Sequence, residues 1–375
     1  MKIGILTYHK SFNNGSFLQA YALSNVVSNM GYDVEIVDYI PQKFNEIYSL
    51  FSPNSMGFLK KLIYYIKKIL VADIYLSTKR NFLGLQNKCL NLSKEKYFYD
   101  SNFEQLNKEY DVLIVGSDQI WNLVCSDCDD IYFLPIKHLN KKVSYAPSLN
   151  DIKKLPEKYI DLISDFDSVS VREQSGKATL NDCLLKDVFV AIDPTLLIDI
   201  QYYEKFDLKD IVKKDYIFLY TIKYSEDVIS VSKALSEKYN LCVYTMINDI
   251  RVHYVLEMKK NKIRYRKSCN DPVAFLRYIK NASYVVTDSF HGTAFSVIFE
   301  KEFWAVNIKK DGKYYDDERI STLLEKLNLK DRFITADNQN FNNKIDYDTV
   351  GKLKKEYVEE SLDWLKNAII GDNNE

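Results

Sequence analysis

"KIGILTYHKSFNNGSFLQAYALSNVVSNMGYDVEIVDY" spans Lys2–Tyr39. Lys2–Tyr8 is a short apolar run with β-branched residues, which predicts a buried strand. After the polar loop His9–Ser16, Leu18, Tyr21, Ala22 and Val26 recur at helical spacing, and Gly31 supplies a stop. Val34–Tyr39 reads as the next strand. Strand, helix and strand in this order make a βαβ unit, so a parallel sheet with right-handed crossovers is expected.

The alternation continues. "DVLIVGSDQIW" (Asp111–Trp121), "KVSYAPS" (Lys142–Ser148), "SVSVREQSG" (Ser168–Gly176) and "VFVAIDPTLL" (Val188–Leu197) each read as a strand ending in polar or turn residues. Ile198–Asp215 is charged and weakly patterned, and the interdomain connection is placed there. Strands then resume at Tyr216–Ile222, Leu241–Ile247, Ser283–Ser289 and Phe303–Ile308. Helices are expected at Asp227–Asn240, Asp271–Ala282, His291–Phe299, Glu318–Leu329 and Thr349–Ile370. A chain of 375 residues exceeds the roughly 100–200 that one core supports. The expected class is therefore α/β, with two Rossmann-like domains and a ligand cleft between them. The first covers 1–205, the second 206–345, and a helix with a polar tail covers 346–375. In open α/β sheets the carboxyl ends of the strands carry the site, which puts every strand-end motif on one working surface.

Residues 44–105 hold few strand signals and read as a helical insertion. Within it, Phe58–Leu76 is basic and amphipathic. Leu59, Leu62, Ile63, Ile66, Ile69 and Leu70 form one face, and Lys60, Lys61, Lys67 and Lys68 flank it. Such a helix packs on its own domain or makes a peripheral contact with an anionic membrane surface.

Composition narrows the partners. Hydrophobic content of 46% and charged content of 27% are those of a soluble globular chain. A net charge of −1 gives no basic field, which argues against nucleic acid. The N-terminus lacks the basic region, apolar core and cleavage site of a signal peptide, and no apolar run nears the ~20 residues that span a bilayer. A cytoplasmic protein is expected. Six cysteines are sparse and fit reduced thiols. "CSDC" (Cys125–Cys128) has metal-ligand spacing but neither a second such pair nor paired histidines. No metal site is expected. The 29 tyrosines suit sugar stacking, or they follow a composition also rich in Lys, Asn and Ile. There is no P-loop, HExxH, GxSxG or kinase set.

The chemistry concentrates in "TDSFHGTAFS" (Thr287–Ser296), a strand-to-helix turn. Free N–H groups at the helix start attract anions, and Ser289 and Thr293 can add donors. Gly292 permits close approach, and His291 adds a titratable ring. The alternative is a capped helix with a structural histidine. Arg172 stands at a strand end, suited to a carboxylate or phosphate or to a salt bridge with a neighbour such as Glu173. Asn13, Asn14, Gly15 and Ser16 follow the first strand and can bond sugar hydroxyls or an anion, or form a turn and cap. Ser117, Asp118, Gln119, Trp121 and Asn122 make a carbohydrate-like set, or a capped turn with Trp121 in the core. Asp118 can serve as acid or base. Asp193, before Pro194, reads as a structural turn. Arg319 is a further anion contact or an exposed side chain.

In order and spacing, "NNGSFLQAYAL", "DVLIVGSDQIWN", "VSYAPS", "VSVREQSG", "IDPTLL", "DPVAFLRYIKNASYVVTDSFHGTAFSVIF" and "ERISTLLEKLNL" resemble the polysaccharide pyruvyl transferase family, over about Ile3–Leu329. The first loop departs from it, with "FNNGS" where an aromatic and a small residue often follow the first Asn. The resemblance implies a GT-B-like fold, with the first domain on the acceptor side and the second on the donor side. It implies that the enolpyruvyl group of phosphoenolpyruvate is transferred to two hydroxyls of one sugar, giving a cyclic ketal and phosphate. His291 and Arg172 would bind the donor, with Ser289 nearby. The acceptor would be a polysaccharide sugar or its lipid-linked precursor, in capsule, exopolysaccharide or cell-wall synthesis. No cofactor is implied. A GT-B glycosyltransferase using a nucleotide sugar is the alternative.

Overall fold

The computed structural model describes residues 1–44, 69, 71–137, 140–150, 152–248 and 252–371. Two parallel sheets with flanking helices make up the chain, as the class expected from the sequence requires. The first holds β1 (Lys2–Leu6), β2 (Asp33–Ile40), β3 (Leu92–Phe98), β4 (Val112–Val115), β5 (Lys142–Ser144), β6 (Ser168–Val171) and β7 (Val188–Val190), in the order β3-β2-β1-β4-β5-β6-β7. The second holds β8 (Tyr216–Tyr220), β9 (Cys242–Thr245), β10 (Arg264–Tyr265), β11 (Tyr284–Thr287), β12 (Glu302–Asn307) and β15 (Phe333–Thr335), in the order β10-β9-β8-β11-β12-β15. A short antiparallel ribbon, β13 (Lys309–Lys310) with β14 (Lys313–Tyr314), stands apart.

Central strands carry continuous apolar runs because both of their faces are covered. All of β4 and β8 is buried, and so are Ile3, Ile5 and Leu6 of β1. The edge strand β3 breaks this rule. Its "LSKEKYF" buries only Ser93 and Tyr97. That is why 44–105 reads as helical, and β3, paired in parallel with β2, corrects that reading. Phe58–Leu76 lies mostly outside the described residues. At its described end, Ile69 is exposed while Ile74 and Tyr75 are buried.

The helices that position the site are α1 (Asn14–Asn29), α2 (Ala72–Cys89), α3 (Glu226–Tyr239), α4 (Pro272–Asn281), α5 (Phe290–Ile298), α6 (Glu318–Lys326) and α7 (Tyr347–Ile370). Most of α1 is buried, including its polar first turn, Asn14 to Ser16. It lies between the first sheet and the second half of the chain. One apolar cluster accordingly runs through both halves, from Ile3, Phe17 and Tyr21 to Phe275 and Phe295. Tyr203 meets Phe295 edge-on, with centroids 5.0 Å apart. On the same side α2 binds the second half, through Lys267 Nζ to Asp73 at 2.7 Å and Asn81 Nδ2 to Asp271 at 2.8 Å.

Helix α7 joins the halves a second time. Near its start Tyr347 donates to the Lys301 carbonyl at 2.5 Å. Further along, Ser361 Oγ accepts from the Ile192 N–H at 3.1 Å, and Trp364 stacks on Phe189 at 5.4 Å. Leu365 is fully buried between these contacts. Leu365→Ala should lower stability by about 2–5 kcal/mol, read as a lower urea midpoint with an unchanged slope.

Candidate active site

Each large sheet reverses its strand order once, between β1 and β4 and between β8 and β11. Crevices open at such switch points, beyond the carboxyl ends of the strands. The N-terminus of α1 and Gly116–Asp118 lie at the first switch point, and Tyr220–Thr221 and Asp288–His291 at the second. Arg172 directly follows β6 and Asp193 lies just beyond β7.

Asp193 is the centre of the cluster. Its Oδ2 accepts from Arg172 Nη1 at 2.7 Å and lies 3.7 Å from His291 Nε2. Its Oδ1 accepts from the Thr195 N–H at 3.0 Å and the Thr195 hydroxyl at 2.7 Å. The carboxylate is only 1% exposed. Burial works to raise its pKa, but His291, Arg172 and the Thr195 donors hold it below the usual value. Arg172 is itself buried, with its guanidinium 4.6 Å from the Phe290 ring centroid and Nη2 3.8 Å from Asp118 Oδ1. Asp118 Oδ2 in turn accepts from the Ser16 hydroxyl at 2.5 Å, at the start of α1.

Three buried nitrogens in this cluster have no hydrogen-bond partner: Arg172 Nε, Arg172 Nη2 and His291 Nε2, the last two lying only at ion-pair distance from Asp118 and Asp193. A buried donor left unpaired costs about 1–3 kcal/mol, and more when charged. Together they form a candidate site for an anion, towards which the first turns of α1 and α5 would add their dipoles. Burial pushes the His291 imidazole below its ordinary pKa. Asp193 and Asp118 oppose that push, and Arg172 and Arg319 reinforce it. The ring is therefore neutral near pH 7.

Gly15 lets the two halves close here. A Cβ at Gly15 would lie 2.0 Å from His291 Nδ1. Asn13 caps α1, its Oδ1 accepting from Gly15 N–H at 2.9 Å and Ser16 N–H at 3.3 Å. Asn14 reaches across to the Tyr220 hydroxyl at 3.3 Å.

Several residues singled out from the sequence serve the scaffold instead. Trp121 is fully buried, stacked on Phe133 at 5.7 Å, and its Nε1 donates to the Tyr132 carbonyl at 2.9 Å. It offers no face to a sugar, because Ile120 and Trp121 together turn back into the core. Ser117 ties its loop to Gln19 at 3.0 Å and to the Ala146 carbonyl at 2.7 Å. Gln119 accepts from Asn122 at 2.8 Å. Ser289 caps α5 through the Gly292 N–H at 3.4 Å, and the buried Thr293 hydroxyl turns back to the Ser289 carbonyl at 3.1 Å. Arg319 is not exposed: both its Nε and Nη2 bind Asp317, at 2.8 and 2.5 Å. Glu173 does not pair with Arg172. It gathers the Ser148 hydroxyl and the Leu149 and Asn150 N–H groups at 2.7–2.9 Å.

Sequence reasoning took Asp193 for a turn residue. It does cap the turn at Pro194, but its second oxygen carries the cluster. Its place at a strand's carboxyl end was the available signal. The cluster draws on both halves: Arg172 and Asp193 hang from the first sheet, and His291 from the second.

A family model described as "Polysaccharide pyruvyl transferase" matches residues 13–310, and the chain belongs to that family. No curated protein matches it. Among solved structures, UDP-GlcNAc 2-epimerase from Methanocaldococcus jannaschii, in complex with UDP-GlcNAc and UDP, is similar at 13% identity and TM-score 0.49, covering 96% of this chain and 93% of that one. The E. coli heptosyltransferase WaaC with ADP-2-deoxy-2-fluoro heptose is similar at 10% identity and TM-score 0.40, covering 96% and 99%.

The Gly15 contact is testable by a double-mutant cycle. Gly15→Ala should destabilise the protein by about 1–3 kcal/mol through overpacking. In a His291→Ala background the same change should cost less than half as much, measured by chemical denaturation.

Proposed function

We propose that this member of the family transfers the enolpyruvyl group of phosphoenolpyruvate to two hydroxyls of one sugar, in a polysaccharide or its lipid-linked precursor, leaving a cyclic pyruvate ketal and phosphate. One observation carries the reading: Arg172 Nε, Arg172 Nη2 and His291 Nε2 are buried without a hydrogen-bond partner, on two side chains that flank the same Asp193 oxygen. The donor has the matching chemistry, a phosphate and a carboxylate on one three-carbon unit. A planar guanidinium suits either group.

The reaction needs a proton at the methylene carbon, which makes C2 electrophilic with oxocarbenium character. It also needs cationic contacts on the departing phosphate and a base for the hydroxyls. Arg172 is fixed by Asp193 and keeps its charge on the donor. His291 is neutral before binding and takes up a proton when the phosphate dianion arrives. It then balances that charge or delivers the proton. Asp118 is the candidate acid or base on the α1 side, linked to Ser16. Such glycans belong to capsule, exopolysaccharide or cell wall.

Thermal shift tests the donor, because a ligand that binds only the native state raises the melting temperature. Phosphoenolpyruvate should stabilise the wild type but neither Arg172→Ala nor His291→Ala, and UDP, CMP and GDP should have no effect. Stabilisation by a nucleotide alone would transfer the site to nucleotide-sugar chemistry. The proton provides a second test. The free ring titrates below its ordinary value of about 6.5, and a bound anion raises that value. Between the two, binding takes up a proton, so affinity weakens as pH rises through this window. Calorimetry near pH 7 in buffers of different ionisation heat should detect the uptake, and His291→Gln should reduce it to what the donor phosphate alone contributes.

A further inference from the structure

Beside the anion site lies a second polar cluster with the opposite need. Asn14 Nδ2 donates to the Tyr220 hydroxyl at 3.3 Å and approaches Asn248 Oδ1 at 3.5 Å. Asn248 Nδ2 donates to the Thr221 carbonyl at 3.0 Å, and the Thr221 hydroxyl donates to Asp288 Oδ2 at 2.8 Å. These residues end β8, follow β9 and β11, and begin α1, so they surround the second switch point. Two acceptors here, Asn14 Oδ1 and Asp288 Oδ1, are buried and have no hydrogen-bond partner. Asn14 is 4% exposed and Tyr220 is 1% exposed. Where the anion site lacks acceptors, this cluster lacks donors. The two share a wall: Asn14 precedes the Gly15 that meets His291, and Asp288 stands three residues before His291.

Two unpaired acceptors beside a hydroxyl fit a ligand that presents two O–H donors. Resting on the donor reading above, we propose that Asn14, Tyr220, Asn248 and Asp288 form the subsite for the acceptor's hydroxyl pair, with Asp288 as the base that takes their protons. Asp118 is the poorer base, because its Oδ2 accepts from Ser16, its Oδ1 accepts from the Gln119 N–H at 2.9 Å, and Arg172 stands beside it. Burial pushes the Asp288 carboxyl up to about 7, opposed by the Thr221 hydroxyl and backbone N–H groups and assisted by Asp317. A carboxyl near neutrality can accept and release a proton within one turnover.

The atoms balance. A proton reaches the methylene carbon, and the first hydroxyl oxygen bonds to C2 as its own proton passes to Asp288. The C2–O bond to phosphate breaks, with its electron pair leaving on the phosphate. The second hydroxyl oxygen then bonds to C2 and releases its proton. Of the two protons that leave the hydroxyls, one ends on the methyl carbon and the other on phosphate, and Asp288 returns to its starting state.

The test uses the full chain as wild type, Asp288→Asn and Asn14→Ala. The probes are phosphoenolpyruvate and the p-nitrophenyl glycosides of galactose, glucose, mannose and N-acetylglucosamine. Both variants should bind phosphoenolpyruvate within about threefold of wild type by calorimetry, which also reports that they are folded. With the donor present, saturation transfer to the glycosides that wild type binds should be lost in both. Phosphate release should fall about 100-fold or more in Asp288→Asn. Wild-type saturation transfer and phosphate release in Asp288→Asn would overturn the subsite. A wild type that does not bind phosphoenolpyruvate would overturn the donor reading, a result seen before any glycoside is added.

Discussion

A carboxylate out of water must find cations and donors, or it will not stay ionised. Asp193 satisfies that constraint with one oxygen on the Thr195 turn and the other on Arg172, close to His291. The consequence reaches both halves of the chain. Arg172 is held with two N–H directions unspent, and His291 is drawn towards the first sheet from the second. Without this carboxylate, Arg172 would be a buried cation whose one remaining ion pair among the described residues is with Asp118, at 3.8 Å. Nothing fixed would then define where an anion sits.

The βαβ opening at Lys2–Tyr39, the restart at Tyr216 and the strand-end positions of Asp118, Arg172 and His291 were all legible, because buried parallel strands announce themselves as apolar runs. β3 was not, since an edge strand with one solvated side has little apolar demand to write into its sequence. Within the site, residue chemistry marked His291 and Arg172, while the role of Asp193 depended on a contact made across the fold. Trp121 shows the reverse failure. An indole in a polar-looking motif suggests a sugar platform, yet it is the run Ile120–Trp121 that anchors the loop in the core. Asn14 was legible as a candidate for sugar hydroxyls, but no sequence pattern reveals which side-chain atom will lack a partner, so the unpaired acceptors of Asn14 and Asp288 emerged only from three-dimensional accounting.

The two clusters divide the chemistry by hydrogen-bond sense. Around Arg172 and His291 the unspent groups are donors, and around Asn14 and Asp288 they are acceptors. An anionic donor substrate and a polyol acceptor have those complementary needs. The two clusters share a wall, Gly15 against His291.

Helix α7 binds near Lys301 at one end and covers Tyr145, Phe189 and Ile192 of the first half at the other. Domains generally fold in order of synthesis, but here the first half lacks part of its covering until residues near 365 have left the ribosome. During translation that apolar face stays open while the second half is being made. The halves therefore mature together at the end of synthesis, and a chain stalled before α7 presents chaperones and proteases with an unfinished first domain.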